Sequence, residues 1–119
     1  MLRSGDVVDV DLGMPEGREA GFRHPVVVVT AQRILDAGPA VLQVVPLTTT
    51  IRGFHSEVEI EPDAVNVLGA VSAAQCQHVR SVSRQRVVAS RGNVGVLVLS
   101  QIRDTIATIL DLGSYVVES

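Results

Sequence analysis

Apolar residues follow a strand-like pattern along most of the chain. Valines and a leucine interleave with Asp6, Asp9 and Asp11, which predicts a first strand over roughly residues 5–13 with one face in solvent. The unbroken run from Val26 to Thr30 predicts a strand that is buried on both faces. Further strands are predicted over residues 41–48, 55–60 and 71–82, with an irregularity near Cys76 or Gln77 in the last of these, which makes five main strands. Residues 87–90 are expected to pair only briefly before a turn at residues 91–93.

Near the C-terminus the spacing of apolar residues changes to three and four. This period predicts one amphipathic helix over roughly residues 96–111, with Arg103 on its polar side and Gly113 as its left-handed stop. The apolar stripe of this helix comprises Leu99, Ile102, Ile106, Ile109 and Leu110. Five strands followed by one helix predict a small, strongly bent antiparallel barrel with the helix packed on it.

Composition narrows the class of protein. The chain has 119 residues, which predicts one domain spanning residues 1–119. Hydrophobic residues make up 46% of it, so a disordered or coiled-coil protein is excluded. Aromatic residues make up only 3%, which excludes RNA recognition by a row of stacking rings. The formal net charge of -3 excludes attachment to nucleic acid by bulk positive charge, although local basic clusters remain.

The ends and the apolar runs of the chain predict where it acts. Acidic residues begin at Asp6, before an apolar run long enough for a signal peptide. The longest apolar stretches, residues 26–29 and 94–99, are far shorter than the ~20 residues that span a bilayer. The lone cysteine, Cys76, cannot form an internal disulfide. The sequence therefore predicts a cytoplasmic protein that does not cross a membrane.

Polar side chains interrupt the strand-like sequence in three places, namely residues 23–25, 48–50 and 75–80. Together they supply guanidinium, imidazole, hydroxyl and amide groups, a set that suits a phosphodiester. Each of these segments also has an explanation that involves no function. Arg23 can be a solvated arginine, His24 an edge residue and the threonines ordinary strand residues, and Arg80 can form salt bridges with the acidic strand. No metal-ligand spacing and no glycine-rich phosphate loop occurs, so neither a metal nor a cofactor is predicted.

Four segments in order resemble the MazF/PemK (Kid) family of toxin endoribonucleases. They are Gly-Asp-Val-Val at residues 5–8, Gly-Arg-Glu-Ala-Gly-Phe-Arg-His-Pro at residues 17–25, Pro-Leu-Thr-Thr at residues 46–49, and Cys-Gln-His-Val-Arg at residues 76–80. The last segment is similar to the family's Cys-Asp-Gln-x-Arg stretch. The resemblance covers residues 4 to about 112.

The resemblance implies a fold, an activity and partners. The fold is mostly β (α+β), an SH3-like small antiparallel barrel of about five main strands with a C-terminal α-helix. The activity is metal-independent cleavage of single-stranded RNA, mRNA or another cellular RNA, at a short sequence. The expected partners are a cognate antitoxin protein and a second copy of the chain in a homodimer.

The resemblance also implies site residues. The family's active-site arginine corresponds to His24, with Arg23 one residue earlier, and its active-site threonine corresponds to Thr48. Either His24 itself transfers protons, or Arg23 swings in from the loop and supplies the cation. These three residues are the predicted catalytic group. The predicted substrate-binding residues are Glu19, in a loop over residues 13–23 that covers the RNA, together with Thr49, Gln77, His78 and Arg80.

The expected chemistry is attack by the ribose 2'-hydroxyl on the adjacent phosphorus. It gives a 2',3'-cyclic phosphate and a 5'-hydroxyl, and it needs a base, an acid and a cationic hole. Two alternatives stay open at this point. One is a toxin of the CcdB type, which inhibits gyrase, and the other is a catalytically decayed homologue that only binds RNA or an antitoxin.

Overall fold

The computed structural model describes residues 1–13 and 23–115. These residues form one antiparallel sheet of seven strands, two α-helices and three short 3-10 turns. The strands are β1 (Asp6–Asp11), β2 (Arg23–Val28), β3 (Val41–Thr48), β4 (Glu57–Ile60), β5 (Ser72–Gln75), β6 (Arg80–Ser83) and β7 (Val87–Asn93). The helices are α1 (Gln32–Asp36) and α2 (Gly95–Ile109), and the 3-10 turns are Cys76–His78, Arg84–Arg86 and Leu112–Tyr115.

The strands pair in the order β4-β5-β3-β2-β1-β7, and β6 pairs with β3. The mostly β architecture with a C-terminal helix is therefore confirmed. The sheet is open in the described part of the chain, because its end strands β4 and β7 do not pair, whereas a barrel was expected. The strand predicted over residues 71–82 is split by the turn Cys76–His78, so that both halves pair with β3. This split, together with the full strand formed by residues 87–93, raises the strand count from the predicted five to seven.

The sheet buries apolar side chains on both of its faces. On one face Val7, Val27 and Val45 pack with Leu99 and Ile102 of α2. On the other face alternate residues of the same strands, with Leu35 of α1, form a second cluster that includes Val8, Val10, Val26, Val28, Leu42, Val44 and Val82. The predicted solvent-exposed face of β1 is therefore wrong, because β1 is a central strand covered on both sides.

The aspartate at the start of β1 shows how the sheet accommodates a polar group. Asp6 is buried, and its carboxylate accepts hydrogen bonds from the backbone N–H of Arg3 at 2.8 Å and from Nδ2 of Asn93 at 3.1 Å. Asn93 in turn accepts from the N–H of Gly95 at 2.7 Å, at the start of α2. The buried carboxylate is satisfied by these donors, which tie β1 to the β7–α2 junction.

Helix α2 occupies most of the predicted range, and its end differs. It stops at Ile109, and Asp111, with φ 58°, adopts the left-handed conformation that was expected of Gly113. Ile109 and Leu110, expected in the apolar stripe, are exposed. No helix within residues 1–13 and 23–115 is long and apolar enough to span a bilayer.

The turn predicted at residues 91–93 is also wrong, since β7 continues through Asn93. Gly92 pairs with Val7, and it packs directly under the loop that follows β4. A Cβ at Gly92 would lie 2.2 Å from the carbonyl oxygen of Val65 and 2.8 Å from that of Asn66. The glycine is therefore explained by this close backbone approach within a strand.

Candidate functional site

A pocket of about 350 Å³ opens on the face of the sheet that is opposite α2. Its floor is formed by valines and a leucine that belong to or pack on the second apolar cluster. Its polar lining residues are His24, Gln75, His78 and Arg80. We call this cavity the histidine pocket; its apolar lining residues are Val10, Leu12, Val26, Val44, Pro46 and Val82.

Strand register explains how these residues meet. His24 pairs with Val10 and lies on the same face of β2 as Val26, two residues further on. Arg80 begins β6 and pairs with Val44 of β3, across the same part of the sheet. The turn Cys76–His78 bends the chain between β5 and β6, and this bend lets the end of β5, His78 and Arg80 all face one cavity.

Thr48 ends β3 close to this pocket. The last pair between β2 and β3 is Val26 with Pro46, and beyond it β3 pairs with β5, where Thr48 is opposite Ala73. Thr48 is half-buried, and its hydroxyl accepts from the N–H of Thr50 at 3.0 Å. Thr48 does not line the histidine pocket; it lines a second groove at this end of the sheet.

The structure places Arg23 elsewhere. It is exposed, it lies within β2, and it pairs with Asp11. Because neighbouring strand residues point to opposite faces, Arg23 projects away from the face that carries His24. The histidine pocket instead contains Arg80, which the sequence had suggested only as a substrate contact.

The remaining predicted substrate-binding residues are scattered. Thr49 is exposed and lines a groove on the other side of the same sheet end. Gln77 is half-buried and does not line the histidine pocket; its Oε1 finds no hydrogen-bond partner within the described residues. Glu19, and the loop expected to cover RNA apart from residues 13 and 23, lie outside the described residues. Gln75 was missed: it belongs to the polar segment noted in the sequence, but only the bend after it shows that it lines the pocket.

Charged groups pair in a way the sequence did not show. The default expectation for Arg80 was an ion pair with the acidic strand β4. Within residues 1–13 and 23–115 the structure has one such pair, and it joins Arg91 to Asp9. The same residues contain no group of three His, Cys, Asp or Glu side chains placed to hold a metal ion.

The arrangement suits proton transfer next to a phosphate. Two imidazoles on one rim can act as a base and as an acid, and the Arg80 guanidinium can hold two phosphate oxygens. His24 is half-buried over the apolar floor, whereas His78 and Arg80 are exposed at the rim, where a substrate can reach them. His55, the third histidine, lines a separate groove beside Asp104 of α2 and is remote from this set.

Comparisons with known proteins identify the family. Residues 3–110 match the model of PemK-like, MazF-like toxins of type II toxin-antitoxin systems. Endoribonuclease MazF9 of Mycobacterium tuberculosis is 30% identical over 118 residues, covering 96% of this chain and 100% of that protein. Among solved structures, a MazE-MazF complex from Deinococcus radiodurans has a TM-score of 0.74 at 23% identity, covering 92% of this chain and 95% of that one. An endoribonuclease with its cognate antitoxin from a mycobacterial species has a TM-score of 0.75 at 21% identity, covering 94% and 97%. The chain therefore belongs to the family of PemK-like, MazF-like toxins of type II toxin-antitoxin systems.

Proposed function

We propose that this MazF-family endoribonuclease cuts single-stranded RNA in the histidine pocket, by attack of the ribose 2'-hydroxyl on the adjacent phosphorus. The observation that carries the proposal is the meeting of two imidazoles and one guanidinium in a single cavity. The O–P bond to the leaving 5'-oxygen breaks as the 2'-oxygen bond forms. The products are a 2',3'-cyclic phosphate and a 5'-hydroxyl.

His24 and His78 transfer the protons in this proposal. One neutral imidazole accepts the proton of the 2'-hydroxyl, and one imidazolium gives a proton to the leaving 5'-oxygen. Both residues lie on the rim of one cavity, as this exchange requires. Positioned proton transfer of this kind contributes ~10²- to 10⁴-fold in rate.

Arg80 and Thr48 stabilise the negative charge that develops on the phosphorane. Arg80 fits this role through its position in the pocket, whereas Arg23 lies on the opposite face of β2. The Thr48 hydroxyl donates a hydrogen bond to a phosphate oxygen from the end of β3. Loss of one preorganised donor typically costs ~10²- to 10³-fold in kcat.

The family match favours this reaction over the gyrase-inhibiting alternative of the CcdB type. A catalytically decayed homologue differs from an active one only in turnover. Direct measurement of RNA cleavage separates these two.

The test is cleavage of an oligoribonucleotide and of its all-deoxy counterpart by purified protein in EDTA. We expect 5'-hydroxyl and cyclic-phosphate ends from the RNA and no cleavage of the DNA, since DNA lacks the nucleophile. His24→Ala, His78→Ala and Arg80→Ala each lower kcat/KM by about 10²-fold or more. His55→Ala is the matched control and keeps the wild-type rate. Equal cleavage of the DNA, or activity that survives all three substitutions, would falsify the mechanism.

The solved relatives include complexes of MazF with MazE and of an endoribonuclease with its cognate antitoxin. We propose that a cognate antitoxin inhibits this chain too, by laying an extended acidic and apolar segment over the histidine pocket. The apolar floor and cationic rim of the pocket support that chemistry. The homodimer and the location in the cytoplasm stay predictions.

A further inference from the structure

A second groove lies at the same end of the sheet as the histidine pocket, on the opposite face. It has a volume of about 200 Å³. Apolar surface comes from Pro25, Leu47, Leu68 and Ala70, and polar groups come from Thr48, Thr49, Ser72 and Arg91. Thr48 is common to this groove and to the proposed phosphate site. We call it the Arg91 groove; Gly69 completes its lining.

Arg91, which lines this groove, lies at a β-bulge of β7. Val7 pairs with Gly92 and Val8 pairs with Ser90, so Arg91 is the extra residue of β7 and has no partner on β1. Bulges of this kind occur next to active sites. Ala89 pairs with Asp9, so Arg91, two residues further on, lies on the same face of the sheet as Asp9.

Asp9 holds that guanidinium in a fixed orientation. Nε of Arg91 donates to Oδ2 of Asp9 at 3.1 Å, and Nη2 lies 3.0 Å from Oδ1. The Arg91 side chain remains 42% exposed, whereas that of Asp9 is 15% exposed. The end of the fork formed by Nη1 and Nη2 makes no other hydrogen bond with the described residues. Arg91 lines the groove, so this oriented pair of N–H donors is available to a ligand there.

The charges of the Arg91–Asp9 pair determine which kind of ligand suits the groove. Asp9 neutralises Arg91, so a phosphate would bring a second negative charge next to the carboxylate. A neutral group with two adjacent acceptors avoids that repulsion. Guanine offers such a pair in O6 and N7, which arginine binds bidentately. Adenine offers a donor beside its acceptor, and cytosine, with O2 and N3, is smaller and fills less of the groove.

We propose that the Arg91 groove is a subsite for a guanine base next to the scissile phosphate, with Arg91 as its specificity-determining residue. This inference rests on the proposed RNA cleavage. The base packs against Pro25 and Leu68, and its O6 and N7 accept from Arg91. Thr48 lines this groove and is proposed to donate to the scissile phosphate, which makes the guanosine a neighbour of the cleaved bond.

Gly69 supplies a variant that blocks the groove without disturbing the fold. A Cβ at Gly69 meets no atom within 4 Å, and its φ lies outside the left-handed region. Gly69→Val therefore fills open space in the groove. Gly113→Val is the matched control, because Gly113 has equally open surroundings and lies in the turn after α2.

The first experiment digests a randomised oligoribonucleotide pool and sequences the 5'-hydroxyl ends. Wild-type protein enriches guanine at one fixed position beside the cut by about 5- to 100-fold, which is the usual value of a bidentate arginine contact. Gly69→Val loses this enrichment at that position alone, and Gly113→Val keeps it. Absence of guanine enrichment, or its persistence in Gly69→Val, overturns the inference while RNA cleavage itself stands.

The second experiment changes the substrate and leaves the protein intact. Replacing the guanine by 7-deazaguanine removes the N7 acceptor, and we expect kcat/KM of the wild type to fall about 5-fold or more. Arg91→Gln does not distinguish the two substrates. Equal rates on both with wild-type protein overturn the guanine contact. Failure of the wild type to cut any RNA overturns the proposed function, and this inference with it.

Discussion

Cys76 is a buried thiol at the point where β5 bends into the turn Cys76–His78. It has no exposed surface, and its Sγ lies 3.7 Å from the carbonyl oxygen of Ala74 and 3.9 Å from that of Ile102. Burial raises the pKa of the thiol to about 11, because the thiolate would lose its hydration. The residue therefore behaves as a small apolar side chain that joins the bend to α2.

This burial predicts a pH dependence of stability. The unfolded thiol loses its proton near pH 9, and the folded thiol keeps its proton until about pH 11. Since the unfolded state then binds fewer protons, the free energy of unfolding falls as pH rises between these values, by up to about 3 kcal/mol. Urea unfolding at a series of pH values from 7 to 11 measures this decline in the free energy of unfolding. Cys76→Ala loses this part of the decline, and identical slopes in both proteins would contradict the assignment.

At the scale of elements, α2 is held on the sheet by more than its apolar stripe. Arg103, expected on the polar side, reaches the end of β2 instead. Its Nη2 donates to the carbonyl oxygen of Val29 at 3.0 Å and to that of Thr30 at 3.2 Å, and also to Oγ of Ser4 at 3.3 Å. The two carbonyl groups lie just after the end of β2. The Arg103 guanidinium therefore donates hydrogen bonds to carbonyl groups that are not paired with another strand.

Removal of this guanidinium should weaken the docking of α2. We expect Arg103→Ala to lower the free energy of unfolding by about 1–3 kcal/mol, the usual range for hydrogen bonds from a charged group. Arg33→Ala on α1 is the control, since Arg33 is exposed and no hydrogen bond joins it to another described residue. The shift in urea midpoint measures the difference. Equal midpoints for the two variants would rule out the anchoring role.

At the scale of the whole molecule, charge is scarce and local. The net charge is -3, and the cations proposed to touch the scissile phosphate and its neighbouring base are single side chains in two cavities. Few phosphates are therefore neutralised when RNA binds. The affinity then depends on hydrogen bonds and base contacts more than on counterion release.

This distribution predicts a weak salt dependence. For a non-cleavable oligonucleotide with 2'-deoxyribose at the cut site, log Kd against log salt should rise with a slope of about 0.7 per phosphate contacted, near 1 to 3 in total. Fluorescence anisotropy at increasing salt gives the slope. Arg80→Ala reduces it by about 0.7, and a wild-type slope above about five would show an extensive basic surface.

Several elements were predictable because their signals are local. β3 occupies the predicted residues 41–48, and α2 occupies most of its predicted range, since alternation and a period of 3.6 depend only on nearby residues. The irregularity near Cys76 was also predicted, but its effect on the strand and the sheet was not. A bend of three residues turned one strand into two, and the sheet stayed open.

The residues that form the site were predictable from the sequence, but their arrangement in space was not. His24, His78 and Arg80 were all named from the sequence, and the structure brings them into one cavity. Arg23 lies next to His24 in sequence but on the opposite face of β2, and Gln75 enters the cavity only because of the bend.

The sequence by itself determined the family, the strand-rich composition, the C-terminal helix and the chemical groups available for RNA cleavage. Only the tertiary structure decided which of these groups meet, because that depends on register between strands distant in sequence. The bulge at Arg91 and the side of the sheet that each cavity occupies follow from pairing of β1 with β7 and of β3 with β6. Local periodicity carries no information on such pairings, since a shift of one residue reverses every side chain.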